Sequence, residues 1–125
     1  TEGSTACLKV MVDALLSEKS RQNHPELVEQ ISGMIQRTPP SGAAGALRGM
    51  AIRPDRLEVL RRLTVPFLVI AGAADAIVPE NEARSMAEVS ALGDLIVIPE
   101  AGHLTPMEDP DATNAAIRSF LGRLT

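Results

Sequence analysis

Two side chains in this sequence have the types and placement for proton transfer: Asp75, in PFLVIAGAADAIVP, and His103, in DLIVIPEAGHLTP. An imidazole working as a general base needs its Nδ1–H held by a carboxylate. The carboxylate fixes the tautomer, steadies the imidazolium that forms and leaves Nε2 free to take a proton. Asp75 and His103 fit those two roles. Taken singly, an Asp after AGAA is a turn former and a His after AG is a loop residue bonded to backbone. As a pair, each one turn past an apolar run, they point to chemistry. A nucleophile on its own sharp turn would complete the set, but no serine here stands in G-x-S-x-G; Ser4, Ser41 and Ser85 read as helix caps or helix surface.

Other reactive residue types carry less. His24 lies in a polar loop beside Pro25 and reads as a cap or surface residue, and Cys7, one residue off an apolar stripe, as a small packed thiol. Met34, Met50 and Met86 are core filler first. Asp109 is the cap of a last helix, and Glu108 before it favours the helix dipole, with a supporting role in a site also open.

The elements that must position the pair run from Val65 to the C-terminus. PFLVIAG and DLIVIP are apolar without alternation, the mark of strands covered on both faces and so of a parallel sheet. Between them a helix starts at Pro79 and runs to about Ser90, with Ala83, Met86, Ala87 and Ala91 inward. A strand, helix, strand unit crosses over right-handed and ends both strands on one edge, the edge where open α/β sheets bind ligands. Asp75 and His103 therefore belong on that edge, close enough to meet. Asp109 and Pro110 then open a final helix whose buried stripe is Ile117, Phe120 and Leu121.

Upstream the pattern is helical. Leu8, Met11, Val12, Leu15 and Leu16 share a face and predict a helix over 5–18, capped by Ser4 or Thr5. SEKSRQNH follows as a polar loop. Asn23 or His24 then caps a second helix opened by Pro25, with Leu27, Val28, Ile31, Met34 and Ile35 on one stripe, which stops at Thr38-Pro39-Pro40. Ser41 can cap a third helix in SGAAGALRGMA, and Asp55 with Glu58 marks a capping-box-like start for RLEVLRRL. The chain thus divides into a helical part, 1–63, and a β-α-β-α part, 64–125.

The segment from about Pro25 onward resembles the C-terminal portion of the α/β-hydrolase fold family. VPFLVIAGAADAIVP is similar to that family's acid loop, and LIVIPEAGHLTPMEDP to its histidine loop and final helix. The resemblance implies an α/β fold, a triad acid at Asp75 and a triad base at His103. TPPSGAAGALRGMAIRPD is similar to the cap-to-core connection of esterases and lactonases of the kind that open 3-oxoadipate enol-lactone. Residues 1–63 would then be a helical cap and connection over a substrate pocket, with Leu47 and Met50 on its lining, and 64–125 the C-terminal part of the core. The implied reaction is hydrolysis of a small ester or lactone, with Asp75 orienting His103 for a nucleophile absent from this chain. No cofactor is implied. Intact members carry further strands, an oxyanion loop and the nucleophile elbow before the cap, so the fold is expected to be incomplete without an N-terminal half or a partner chain. A first residue that is Thr rather than Met also leads us to expect that something before it was removed.

Composition narrows the partners. A net charge of −4 with both signs interspersed, and no Trp or Tyr on which bases could stack, argues against nucleic acid. No apolar run reaches the ~20 residues of a membrane span, and the N-terminus lacks signal-peptide regions. One cysteine excludes an internal disulfide, no His/Cys cluster suggests a metal, and a cytoplasmic setting is expected. The competing expectation is a non-catalytic α/β fragment. Two parallel strands are too few for a stable sheet, so such a chain would be a homo-oligomer or pair with a missing N-terminal half.

Overall fold

The computed structural model describes residues 2–124, with side chains from Leu8 onward. The elements are α1 (Glu2–Leu15), α2 (Glu18–Asn23), α3 (Pro25–Arg37), α4 (Pro40–Ala51), α5 (Leu57–Arg61), β1 (Phe67–Gly72), α6 (Glu80–Glu88), β2 (Gly93–Ile98), α7 (Thr105–Glu108) and α8 (Pro110–Gly122). The two apolar runs form the strands, paired in parallel from Phe67 opposite Gly93 to Gly72 opposite Ile98. α6 crosses between them and packs on both through the buried Ala83 and Ala87. α8 packs on both strands as well. Asp109 caps it by accepting from the Ala112 amide at 2.8 Å.

The interior has two centres. Val12, Leu16, Leu27 and Ile31 form a cluster between α1 and α3, where Leu104 and Met107 from the far end of the chain also pack. Ile98, Ala101 and Ala116 form the second, with Ile70, Ile96 and Ala112 against it. The stretch holding His103 lies between these clusters, because Ala101 belongs to one and Leu104 to the other.

Several local expectations are corrected. The first helix covers Glu2–Leu15 rather than 5–18, so Ser4 and Thr5 lie within it, and the packing assigned to Cys7 lies outside the described side chains. SEKSRQNH is not a loop: the buried Ser17 caps α2 by accepting from the Ser20 amide at 3.1 Å. An all-polar turn of helix has no apolar periodicity to announce it. Pro39, not Ser41, precedes α4, whose first residue is Pro40. Asp55 does accept from the Leu57 amide at 2.8 Å, but Glu58 turns to Arg61 and Arg62 instead of closing a capping box. Met11, Met34 and Met50 are exposed, and Ala91 lies beyond α6 and is exposed. On α8 the buried residues are Thr113, Ala116 and Phe120, while Ile117 and Leu121 are exposed. The stripe rotates because small Thr113 and Ala116, not bulky Ile117, fit the close contact with the strands.

Gly72 sits at a very close approach between the two turns. A Cβ there would stand 2.1 Å from the Gly102 carbonyl oxygen and 2.3 Å from that of Ala101. Both obstacles are backbone, so neither can swing aside. Gly72→Ala is therefore expected to cost about 3 kcal/mol or more, the upper end for overpacking. Urea unfolding measures it, and a loss below about 1 kcal/mol would show that the turns can separate cheaply.

Candidate functional site

The turn after β1 leads straight into Asp75. The Ala73 amide donates to the Ile98 carbonyl at 3.0 Å and the Ala74 amide to the Ala101 carbonyl at 2.9 Å, which ties this turn to the one after β2. Asp75 Oδ1 then accepts from the amides of Ile77 and Val78 at 2.8 and 2.9 Å, an Asx-type turn that aims the carboxylate and leads into α6. Its other oxygen, Oδ2, lies 2.9 Å from Nδ1 of His103. The structure thus brings together the two residues that the sequence singled out.

The His103 turn follows a tight bend at Glu100, whose φ is 61°, in the left-handed region. The backbone of the turn is held at consecutive amides. Gly102 N–H and Leu104 N–H donate to Glu108 Oε1 at 2.9 and 3.1 Å, and His103 N–H donates to the Leu15 carbonyl at 3.1 Å. The second oxygen of Glu108 accepts from the Ser17 amide at 2.9 Å. Gly102 is buried there, and a Cβ on it would meet Ser17 N at 2.5 Å. The corner between α1 and α2, itself tied by the Arg21–Asp13 pair, is therefore pressed against the histidine turn.

The Asp75 side chain is 6% exposed and the His103 side chain 34%. Burial, the largest single influence on Asp75, would raise its pKa. The Val78 amide, the His103 ring and the Ile77 amide together outweigh it and hold the carboxyl below its ordinary value of 3.8. Asp75 is then an acceptor-only carboxylate at neutral pH, so the proton of the pair sits on Nδ1 of His103. Nε2 of a neutral ring in this tautomer carries a lone pair, and the arrangement can accept a proton from a group brought to it.

The remaining residues of interest lie apart. His24 is exposed, with Nδ1 3.0 Å from Glu26 Oε1. Met50 lines a groove of about 630 Å³ with Leu57, Val59, Leu60 and Met86, a lining that includes neither Asp75 nor His103. Leu47 is exposed on α4 outside that groove. Glu108 is the residue whose part the sequence understated. Its place five residues after His103 was visible, but its partner Ser17 is 91 residues away. Among the described residues no group of three or more His, Cys, Asp or Glu could hold a metal, and no helix is long and apolar enough to cross a membrane.

The profile described as the Alpha/beta hydrolase family matches residues 10–116. The chain is similar to 3-oxoadipate enol-lactonase 2 of Acinetobacter baylyi, 30% identical over 105 residues that cover 82% of this chain and 38% of that protein. It is also similar to the structure of a thermophilic esterase from Thermogutta terrifontis, malate bound. There the TM-score is 0.88 at 43% identity, over 94% of this chain and 43% of the other. A hydrolase from Pseudomonas aeruginosa PA01 gives a TM-score of 0.83 at 28% identity, over 94% and 44%. The chain spans about two-fifths of the length of these relatives.

The acid response of the site follows from the Asp75 carboxyl. Its folded pKa is depressed, so its stabilisation is fully present above the ordinary value of 3.8 and is lost as pH falls through the lower native value. Asp75→Asn is expected to cost about 1–3 kcal/mol at about pH 6, and that difference should shrink on acidification below about pH 4. Chemical unfolding of both proteins across this range measures it; a difference that grows toward acid pH contradicts the assignment.

Proposed function

The chain belongs to the Alpha/beta hydrolase family, and from that membership we propose that it supplies the acid and base of a serine-hydrolase-type site acting on a small ester or lactone. The supporting observation is the 2.9 Å bond between Asp75 Oδ2 and His103 Nδ1, with the carboxylate's other oxygen anchored by two amides. In this reading Asp75 orients the ring and steadies the imidazolium, while Nε2 of His103 takes the proton of an attacking hydroxyl and returns it to the leaving alkoxide. The substrate class is suggested by the enol-lactonase and the esterase to which the chain is similar.

The nucleophile and the oxyanion donors come, in this reading, from residues outside these 125, since no G-x-S-x-G occurs among them. Residues 1–63 serve as cap and connection, and 64–125 as the C-terminal part of the core. Leu47 and Met50, apolar and exposed on α4 at 63% and 60%, are proposed as part of the pocket wall.

A second reading, for the chain on its own, has a separate support. A sheet of two strands is marginal in water. In addition, Leu47, Met50, Ile52 and Val59 on the α4–α5 segment and Ile117 and Leu121 on α8 are all exposed. Left alone, the chain would cover these faces by self-association or by pairing with another chain.

The catalytic reading is tested with this chain joined to a segment that carries a nucleophile elbow, such as that of the similar esterase. Turnover of an activated ester such as p-nitrophenyl acetate is compared before and after His103→Ala. A fall in kcat of about a hundred- to ten-thousand-fold is expected for a lost general base, and an unchanged kcat rejects the assignment. The second reading is tested by light scattering on the 125-residue chain at micromolar concentration. Dimers or larger species are expected, and a folded monomer rules that reading out.

A further inference from the structure

We infer that Glu108 is the positioning residue for His103, the joint through which the helical part of the chain sets where the imidazole stands relative to Asp75. The inference rests on the reading of His103 as the base of the site.

Four observations carry it. First, one carboxylate oxygen of Glu108 takes the amides on both sides of His103, at Gly102 and Leu104, so the turn is gripped around the residue whose ring is used. Second, the other oxygen takes the Ser17 amide at the α1–α2 corner, and the His103 amide itself goes to Leu15 at that same corner. Third, Gly102 leaves no slack there, since the atoms a Cβ would meet include Ser17 N and Glu108 Oε1 at 2.5 and 3.0 Å. Fourth, Asp75 is fixed separately, by the Ile77 and Val78 amides on its own turn. If Glu108 is removed, the acid stays in place while the histidine turn loses two of its three amide anchors and keeps only the one from His103 N–H to Leu15. A hydrogen bond weakens steeply once distance and angle depart from their optimum, and a displacement of about 1 Å at a reacting group can cost about a hundredfold in rate.

The arrangement also distinguishes Glu108 from a simple stabilising contact. Gly102, Leu104 and Ser17 would be left with three part-buried donors, a stability cost. The positioning role adds a specific effect on the ring: without the grip, Nδ1 of His103 loses its alignment with Asp75 Oδ2, and the preference for the Nδ1–H tautomer weakens.

Nitrogen-15 NMR of the imidazoles in the 125-residue chain reads that preference directly. The chain has only two histidines, and His24, exposed beside Glu26, serves as the internal reference. Three variants are compared with the parent: Glu108→Ala, Glu108→Gln and Thr113→Val. The last removes a different buried bond, from Thr113 Oγ1 to the Thr105 carbonyl at 3.0 Å, and serves as a stability control. The ratio of Nδ1–H to Nε2–H tautomer at His103 is expected to fall about tenfold in Glu108→Ala, the order of a lost charge-assisted hydrogen bond. Glu108→Gln, whose carbonyl can still accept from Gly102 and Leu104, should retain more of it. Thr113→Val should lower the melting temperature and leave the ratio unchanged.

The inference is overturned if folded Glu108→Ala keeps the parent ratio, or if Thr113→Val lowers the ratio as far. It is equally overturned if neither Glu108 variant folds while Thr113→Val does, since Glu108 would then be a stability element alone. The ring signal reports the placement of His103 whether or not any ester is hydrolysed, so failure of the proposed hydrolysis and failure of this inference give different results.

Discussion

Two strands hydrogen-bonded in parallel must finish on the same side of their sheet, and the register from Phe67 opposite Gly93 to Gly72 opposite Ile98 makes β1 and β2 finish level. The rest of the site depends on that constraint. Because the strands end together, the chain leaving β1 can donate to the Ile98 and Ala101 carbonyls of the chain leaving β2. Because Gly72 has no side chain, the carbonyls of Ala101 and Gly102 can come within van der Waals range of its backbone. Asp75 and His103 are therefore neighbours through backbone geometry, before their own hydrogen bond contributes anything. That bond then selects an orientation; it does not have to hold the two turns together.

The His103 turn has a second set of constraints that the Asp75 turn lacks. Asp75 is fixed by amides within three residues of itself, whereas the backbone around His103 is fixed by Leu15, by Ser17 through Glu108, and by the packing of Leu104 and Met107 in the α1–α3 cluster. Local turn chemistry places Asp75, and tertiary contacts with the helical part place His103. The ion pairs on the surface, such as Arg84 with Glu80 or Arg62 with Glu58, add little to either.

What the sequence made legible follows from the same division. The unalternating runs PFLVIAG and DLIVIP carried a strong signal, because strands covered on both faces have no polar face to show, and the parallel sheet and the meeting of Asp75 with His103 could be read from them. The cap at Asp109 was equally visible, since its partner, the Ala112 amide, lies within one helical turn. Three features could not be read. α2 has the composition EKSRQN, with no apolar period, and exists because Ser17 caps it at a buried corner. The inward face of α8 is set by fit against the strands, which favoured Thr113 and Ala116 over larger neighbours. Glu108 acts on three amides in two separate segments, and no local pattern marks a side chain that joins its own turn to an amide 91 residues away.

The link from Ser17 to Glu108 spans 91 positions of the chain, and this bears on the order in which the molecule assembles. α1, α3 and α6 can begin forming from contacts within a few residues, on the microsecond scale of helix growth. The Asp75 turn closes locally as well. The histidine turn, by contrast, cannot be locked until α7 has emerged and returned to the α1–α2 corner, a closure with a large entropy cost and high sequence separation. During synthesis the His103 turn is therefore fastened late, only once Glu108 is available to reach back to the α1–α2 corner. A nascent chain that ends between His103 and Glu108 would carry both Asp75 and His103, with the amides on either side of the ring not yet held by a carboxylate.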